Sequence, residues 1–113
     1  MQFAKSCLSL HQINTAMNIW DKELLDKCAI KHANIRNTLQ YWINIVEEAE
    51  WKSHNELKLD FPSADYVGNN RYVFNIQGSN YRLIAVVVFV SGVIKIRFIG
   101  THAEYDKINC KTI

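Results

Sequence analysis

The chain has 113 residues, 13 Lys and Arg against 11 Asp and Glu, and a formal net charge of +2. That length is one domain's worth, so a single domain over residues 1–113 is expected. With 49% hydrophobic and 21% charged residues, the composition excludes a disordered chain. The longest apolar run, Leu83–Val90, falls far short of the roughly 20 residues a membrane-spanning helix needs. The first residues, MQFAKSCLSLHQ, carry no signal-peptide pattern, and a cytoplasmic location is expected. Cys7, Cys28 and Cys110 form no CxxC and no Cys/His cluster. They read as plain thiols, with neither a disulfide framework nor a zinc site.

The first half of the chain has helical periodicity. Leu10, Ile13, Met17, Trp20 and Leu24 recur at spacings of 3 and 4 and predict one amphipathic helix. Ser9 and Gln12 fit a capping box at its start. A second stripe runs through Ile35, Leu39, Trp42 or Ile43, Val46 and Ala49, with Asn34 as a plausible N-cap. Ser53 with Glu56 predicts a short helical turn through Glu56–Leu59, stopped before Pro62.

The second half reads as antiparallel sheet. Arg71–Ile76 is a strand, and Gly78-Ser79-Asn80 a turn cluster. Tyr81–Val90 is a β-branched strand, Ser91-Gly92 a two-residue hairpin signal, and Val93–Ile99 the returning strand. Alternation in that last strand places Ile94, Ile96 and Phe98 on one face and Lys95 and Arg97 on the other. Thr101 and Glu104 make a capping box, T-x-x-E, for a short helix that puts His102 and Tyr105 on one side. The fold class is therefore α+β, with helices packed on one face of a twisted antiparallel sheet.

The small net charge hides a division. Residues 1–56 carry six cations and seven anions, whereas residues 57–113 carry seven cations and four anions. Between Tyr66 and His102 there are Arg71, Arg82, Lys95 and Arg97 but no Asp or Glu. Either this stretch meets a polyanion or it is the solvated face of a sheet.

Followed by His102 and Tyr105, these cations supply the parts that metal-independent RNA cleavage needs. A base takes the 2′-OH proton, an acid protonates the leaving 5′ oxygen, and cations stabilise the phosphorane. An imidazole, with an ordinary pKa near about 6.5, serves as acid or base near neutrality. Arg82 is a candidate phosphate clamp or a structural salt-bridge partner. Tyr105 is a candidate stacking platform or proton donor, or a side chain packed on the sheet. Arg71, Lys95, Arg97 and Lys107 are candidates to track an RNA backbone, or else exposed charge. Asp106 can orient His102 or, more simply, pair with Lys107 or Lys111. His11, His32 and His54 read as surface or capping residues. No metal and no cofactor are expected, because a metal nuclease would want clustered carboxylates.

Through ELKLDFPS (Glu56–Ser63), NRYVFNI (Asn70–Ile76), GSNYRLI (Gly78–Ile84) and above all IRFIGTHAEYDKI (Ile96–Ile108), the sequence resembles the HigB toxins of bacterial type II toxin–antitoxin systems, within the RelE-like superfamily. The resemblance spans roughly residues 51–109. It implies a small RelE-like α+β fold and an endoribonuclease that cuts mRNA on the ribosome and so stops translation. It assigns the catalytic set to Arg82, His102 and Tyr105, with Arg71 contributing. Some members carry Lys where this chain has Asn70. The implied partner is a helix-turn-helix antitoxin of the HigA type, through which alone the toxin would meet DNA. A non-enzymatic module that binds RNA or the ribosome through the same basic face is the alternative.

Overall fold

The computed structural model describes residues 16–78 and 80–113. In chain order it contains strand β1 (Asn18–Trp20), helices α1 (Glu23–Lys31), α2 (Arg36–Glu48) and α3 (His54–Asp60), strands β2 (Asp65–Gly68), β3 (Arg71–Ile76), β4 (Tyr81–Val88) and β5 (Val93–Thr101), and helix α4 (His102–Tyr105). The strands form one sheet in the order β1-β5-β4-β3-β2. Pairing from β2 through β5 is antiparallel, as expected. The edge strand β1 is parallel to β5, with Asn18 opposite Val93, so the sheet is mixed.

The predicted first helix is corrected here. Met17, Trp20 and Leu24 do not share a helix, because Asn18–Trp20 is extended and α1 begins only at Glu23. Backbone bonds from Met17 N to Ala49 O and from Asn18 N to Gly92 O hold this segment along the sheet. Leu10, Ile13, the Ser9–Gln12 box, His11 and Cys7 lie outside the described residues. The α2 stripe matches expectation, but Asn34 does not cap it. Asn34 lies inside a 3₁₀ turn, Ala33–Ile35, that leads directly into the helix. Helix α3 starts where Ser53 predicts it, with the Ser53 hydroxyl accepting from Glu56 N. Strand β2 adds to the expected set. It joins β3 through Asn69 and Asn70, whose φ values of 54° and 61° suit the type I′ geometry that a tight hairpin prefers.

The helices bury one stripe each against one face of the sheet. Leu25, Cys28, Ile35, Leu39, Trp42, Ile43 and Val46 meet Tyr72, Phe74, Ile76, Leu83, Ala85, Val87, Ile94 and Ile96 in a single cluster. Aromatic edges fix the layer spacing, with Trp42 and Phe61 each T-shaped on Phe74 at 5.3 and 5.2 Å. Truncating a buried Leu or Ile here costs about 2–5 kcal/mol.

The other face of the sheet differs from expectation at one residue. Strands β4 and β5 pair Ile84 with Phe98 but Ala85 with Ile96, which leaves Arg97 as an extra residue, a β-bulge. The bulge inverts the alternation. Ile94 and Ile96 face the helices, whereas Phe98 and Gly100 share the outer face with Ile84 and Arg82. Strand β4 ends at Val88, and four residues, Phe89–Gly92, make the turn into β5 rather than the two-residue Ser91-Gly92 hairpin. Strand β5 continues to Thr101, which brings the start of α4 against the sheet.

Candidate active site

The site lies on the outer face where β4 and β5 run into α4. Thr101 caps α4 in a complete capping box: its hydroxyl accepts from Glu104 N at 3.2 Å, and Glu104 Oε1 accepts from Thr101 N at 2.8 Å. The backbone bond to Thr101, followed by the nearby Lys31, the Thr101 side-chain bond and His32, holds the Glu104 carboxyl below its ordinary range despite partial burial. The box fixes a helix of only one turn and projects His102 and Tyr105 together. Their rings lie nearly parallel, 16° apart, with centroids 6.5 Å from one another.

Arg82 arrives from β4, directly opposite Gly100 on one side and Asn75 on the other. Its Nη2 is 3.3 Å from His102 Nδ1, and its guanidinium carbon lies 5.4 Å from the centre of the Tyr105 ring. A guanidinium only donates, so this contact requires the lone pair of Nδ1. In the neutral ring the proton then sits on Nε2, which faces Asp106 Oδ2 at 3.7 Å. Asp106 thus turns to His102 rather than to Lys107 or Lys111. Burial is the main cause that pushes the Tyr105 phenol above its ordinary range, followed by its hydrogen bond with Cys110, and the Arg82 cation opposes the rise. Within the site, Arg82 Nε and Asn75 Oδ1 are buried without partners, a donor and an acceptor on directly paired residues.

The sequence-predicted residues therefore fall into two groups. Arg82, His102 and Tyr105 meet. Arg71 and Arg97 meet elsewhere, on the chain's last segment. Arg71 Nε and Nη2 donate to Ile113 O at 2.9 and 2.8 Å, its Nη1 donates to Asn69 O, and Arg97 Nε reaches Ile113 O at 3.3 Å. Arg71 and Lys95 flank Val86 on the same face. Asn75, the partner of Arg82, is four steps along β3 from Arg71, so the two groups lie about 13 Å apart along the sheet. Lys107 is exposed beyond α4.

Two histidines have partners that spacing did not reveal. His54 Nδ1 is 2.7 Å from the Tyr72 hydroxyl, inside an aromatic group with Tyr66. His32 sets its ring edge-on to Tyr81 at 5.2 Å. Cys28 is buried behind the site and Cys110 partly so, both as free thiols. Burial is the leading cause that raises the Cys28 thiol. Among the described residues, no helix is long and apolar enough to cross a membrane.

Comparison with known proteins agrees with this architecture. The family described as HigB_toxin, the RelE-like toxic component of a toxin–antitoxin system, matches residues 35–108. A protein of Escherichia coli O6:H1 called mRNA interferase HigB is 32% identical over 94 residues, 81% of this chain and 91% of its own length. The mRNA interferase toxin HigB of Escherichia coli K12 and the mRNA interferase HigB of Shigella flexneri are each 33% identical over 93 residues, 80% of this chain and 88% of theirs. The match begins at the end of the 3₁₀ turn and runs through α4, so it covers Arg82, His102, Tyr105 and Asp106. The chain belongs to the HigB toxin family, the RelE-like toxic component of toxin–antitoxin systems.

Proposed function

We propose that this toxin is a cytoplasmic, single-domain mRNA endoribonuclease that cleaves mRNA on the ribosome by metal-independent acid–base chemistry. As a toxin of its family it has an antitoxin for a partner. We assign that partner to the helix-turn-helix, HigA type, and DNA contact to the antitoxin alone. The observation that carries the reading is the convergence of one guanidinium, one imidazole and one phenol on the carboxylate-poor face of the sheet.

The geometry supports a role for each group. Arg82 holds the scissile phosphate and neutralises charge as the phosphorane forms. When the guanidinium turns to phosphate, it releases the Nδ1 lone pair of His102. That nitrogen takes the 2′-OH proton as the 2′ oxygen attacks phosphorus, while Asp106 on the Nε2 side keeps the ring in register. The P–O5′ bond breaks, and the departing oxygen takes the proton of Tyr105, which its surroundings keep protonated. The products are a 2′,3′-cyclic phosphate and a 5′-hydroxyl. A ribosome that presents the codon in line supplies the remaining orientation. Arg71, Lys95, Arg97 and Lys107 guide the strand beyond the reacting bond. Arg71 and Arg97 exchange the Ile113 oxygen for phosphate when RNA arrives.

Expression of the wild type should arrest growth, and new 5′ ends should appear on mRNA in a translating extract. His102→Ala and Arg82→Ala should abolish both effects while the protein stays folded. Full toxicity in both variants would refute the site. Binding to ribosomes or RNA without new 5′ ends would favour the non-enzymatic module instead.

A further inference from the structure

A groove of about 290 Å³ runs between α1 and β5, beside α4. Lys27, Lys31, His32 and Arg97 line it together with Phe98 and Gly100. Among the described residues, the acid lining it is Glu104, and that carboxylate is already occupied. Its Oε1 accepts from Thr101 N, and its Oε2 faces Lys31 at 4.0 Å, a separation at which an exposed pair contributes little. Lys27 and Lys31 are one helical turn apart and project from the same side of α1. The groove therefore concentrates positive charge on a helix from the half of the chain whose composition is acidic.

Three features make this more than a charged surface. First, the Arg97 bulge turns Phe98 out of the expected core face and into the groove. Bulges beside active sites commonly re-aim a side chain in this way. An aromatic ring there offers any base a face to stack on. Second, Gly100 lets Phe98 and Glu104 pack directly over the strand at the groove: a Cβ at that position would lie 2.8 Å from Phe98 Cζ and 2.5 Å from Glu104 Oε1. Third, the groove adjoins the site, because Glu104 belongs to the turn of helix that carries His102 and Tyr105, and Gly100 pairs with Arg82.

We propose that the groove between α1 and β5 binds a nucleotide flanking the scissile bond, with Lys27 and Lys31 taking its phosphate and Phe98 stacking its base. The assignment rests on the RNA-cleavage reading and extends it to a subsite on α1. An acidic protein segment would satisfy the lysines as well as RNA does, but it has no use for the Phe98 ring or for a position next to Arg82.

The test uses a single-stranded RNA of about ten nucleotides with 2′-O-methyl groups throughout, which binds but cannot be cut. Lys27→Ala/Lys31→Ala should weaken its binding by roughly tenfold. The double variant should also reduce the slope of log affinity against log salt by about 0.7 for each phosphate that is no longer neutralised. Phe98→Leu should weaken binding by roughly tenfold with the salt slope unchanged, as removal of the stacking ring demands. Lys52→Ala, an exposed lysine away from the groove, should do neither. In a translating extract, the double variant should slow mRNA cleavage by a similar factor at limiting toxin. Affinity, slope and extract cleavage all equal to wild type in a folded double variant would overturn the proposal. So would unchanged RNA binding with weakened capture of polyglutamate. If wild type neither bound the RNA nor cut mRNA, the RNA-cleavage reading itself would fail, an outcome distinct from undiminished binding by the variants.

Discussion

Gly100→Ala tests how the outer face holds α4. The residue is in ordinary extended backbone, so alanine meets no conformational penalty of its own there. The added Cβ instead lies 2.5 Å from Glu104 Oε1, 2.8 Å from Phe98 Cζ and 3.4 Å from Glu104 Cβ. The glutamate has to withdraw, and withdrawal breaks its bond to Thr101 N. Because the carboxylate is half exposed, that bond is at the weak end for a charged acceptor, about 1–2 kcal/mol. For a chain of this size such a loss lowers Tm by about 4–8 °C. Glu104→Ala alone removes the same bond and costs about the same. The double variant should then cost little more than either single, because the carboxylate that clashes is also the one already removed. A thermal or urea double-mutant cycle should return a coupling of about 1–2 kcal/mol. Costs that add within about 0.5 kcal/mol would refute the reasoning, since they would mean that Gly100 and Glu104 act independently. Cleavage in a translating extract should fall in the Gly100 variant by roughly 10–100-fold, because the loosened turn misplaces His102 and Tyr105.

Three more outcomes follow from the same geometry. An ultraviolet titration should find a phenol, absent from Tyr105→Phe, that ionises above pH 10, later still in Arg82→Ala, which loses the opposing cation, and earlier in Cys110→Ala. The lowered Glu104 carboxyl contributes stability that is complete above its ordinary value of 4.5 and is lost as pH falls through its depressed folded value. Acid melting of Glu104→Gln should lose that component over the same window. Tyr72→Phe removes the hydroxyl partnered to His54 and should cost about 1 kcal/mol in urea unfolding, whereas a loss above about 3 kcal/mol would place that hydroxyl in a larger polar network.

Local chemistry made some elements legible and long-range contacts hid others. Strand β3 appears at Arg71–Ile76, where β-branched and aromatic residues alternate before a turn cluster. The T-x-x-E box located α4 because both of its hydrogen bonds are local. The set of Arg82, His102 and Tyr105 was legible too, since β4 and α4 were both placed. Strand β1 was not, because three residues carry too little pattern, and Met17, Trp20 and Leu24 happen to keep helical spacing. What makes the segment extended is β5, far along the chain. The Arg97 bulge leaves no sequence mark either, so strict alternation sent Phe98 to the wrong face. The grip of Arg71 on Ile113 and the meeting of Lys27, Lys31 and Phe98 are tertiary events. A Lys pair spaced by four on one helix face was the one signal available for the groove.

The pairing of Asn18 with Val93 also ties an early strand to a late one. Synthesis delivers the helices first, at about 5–20 residues per second, and their apolar stripes have no sheet to cover until β4 and β5 follow. Contacts of such long sequence separation form slowly, since the loop entropy must be spent before they reward it. Arg82 and His102 approach one another only where β5 pairs with β4, and Ile35, Leu39 and Val46 are buried in the cluster that these strands share with β3. Completion of the core and the meeting of Arg82 with His102 therefore depend on the same strand pairing.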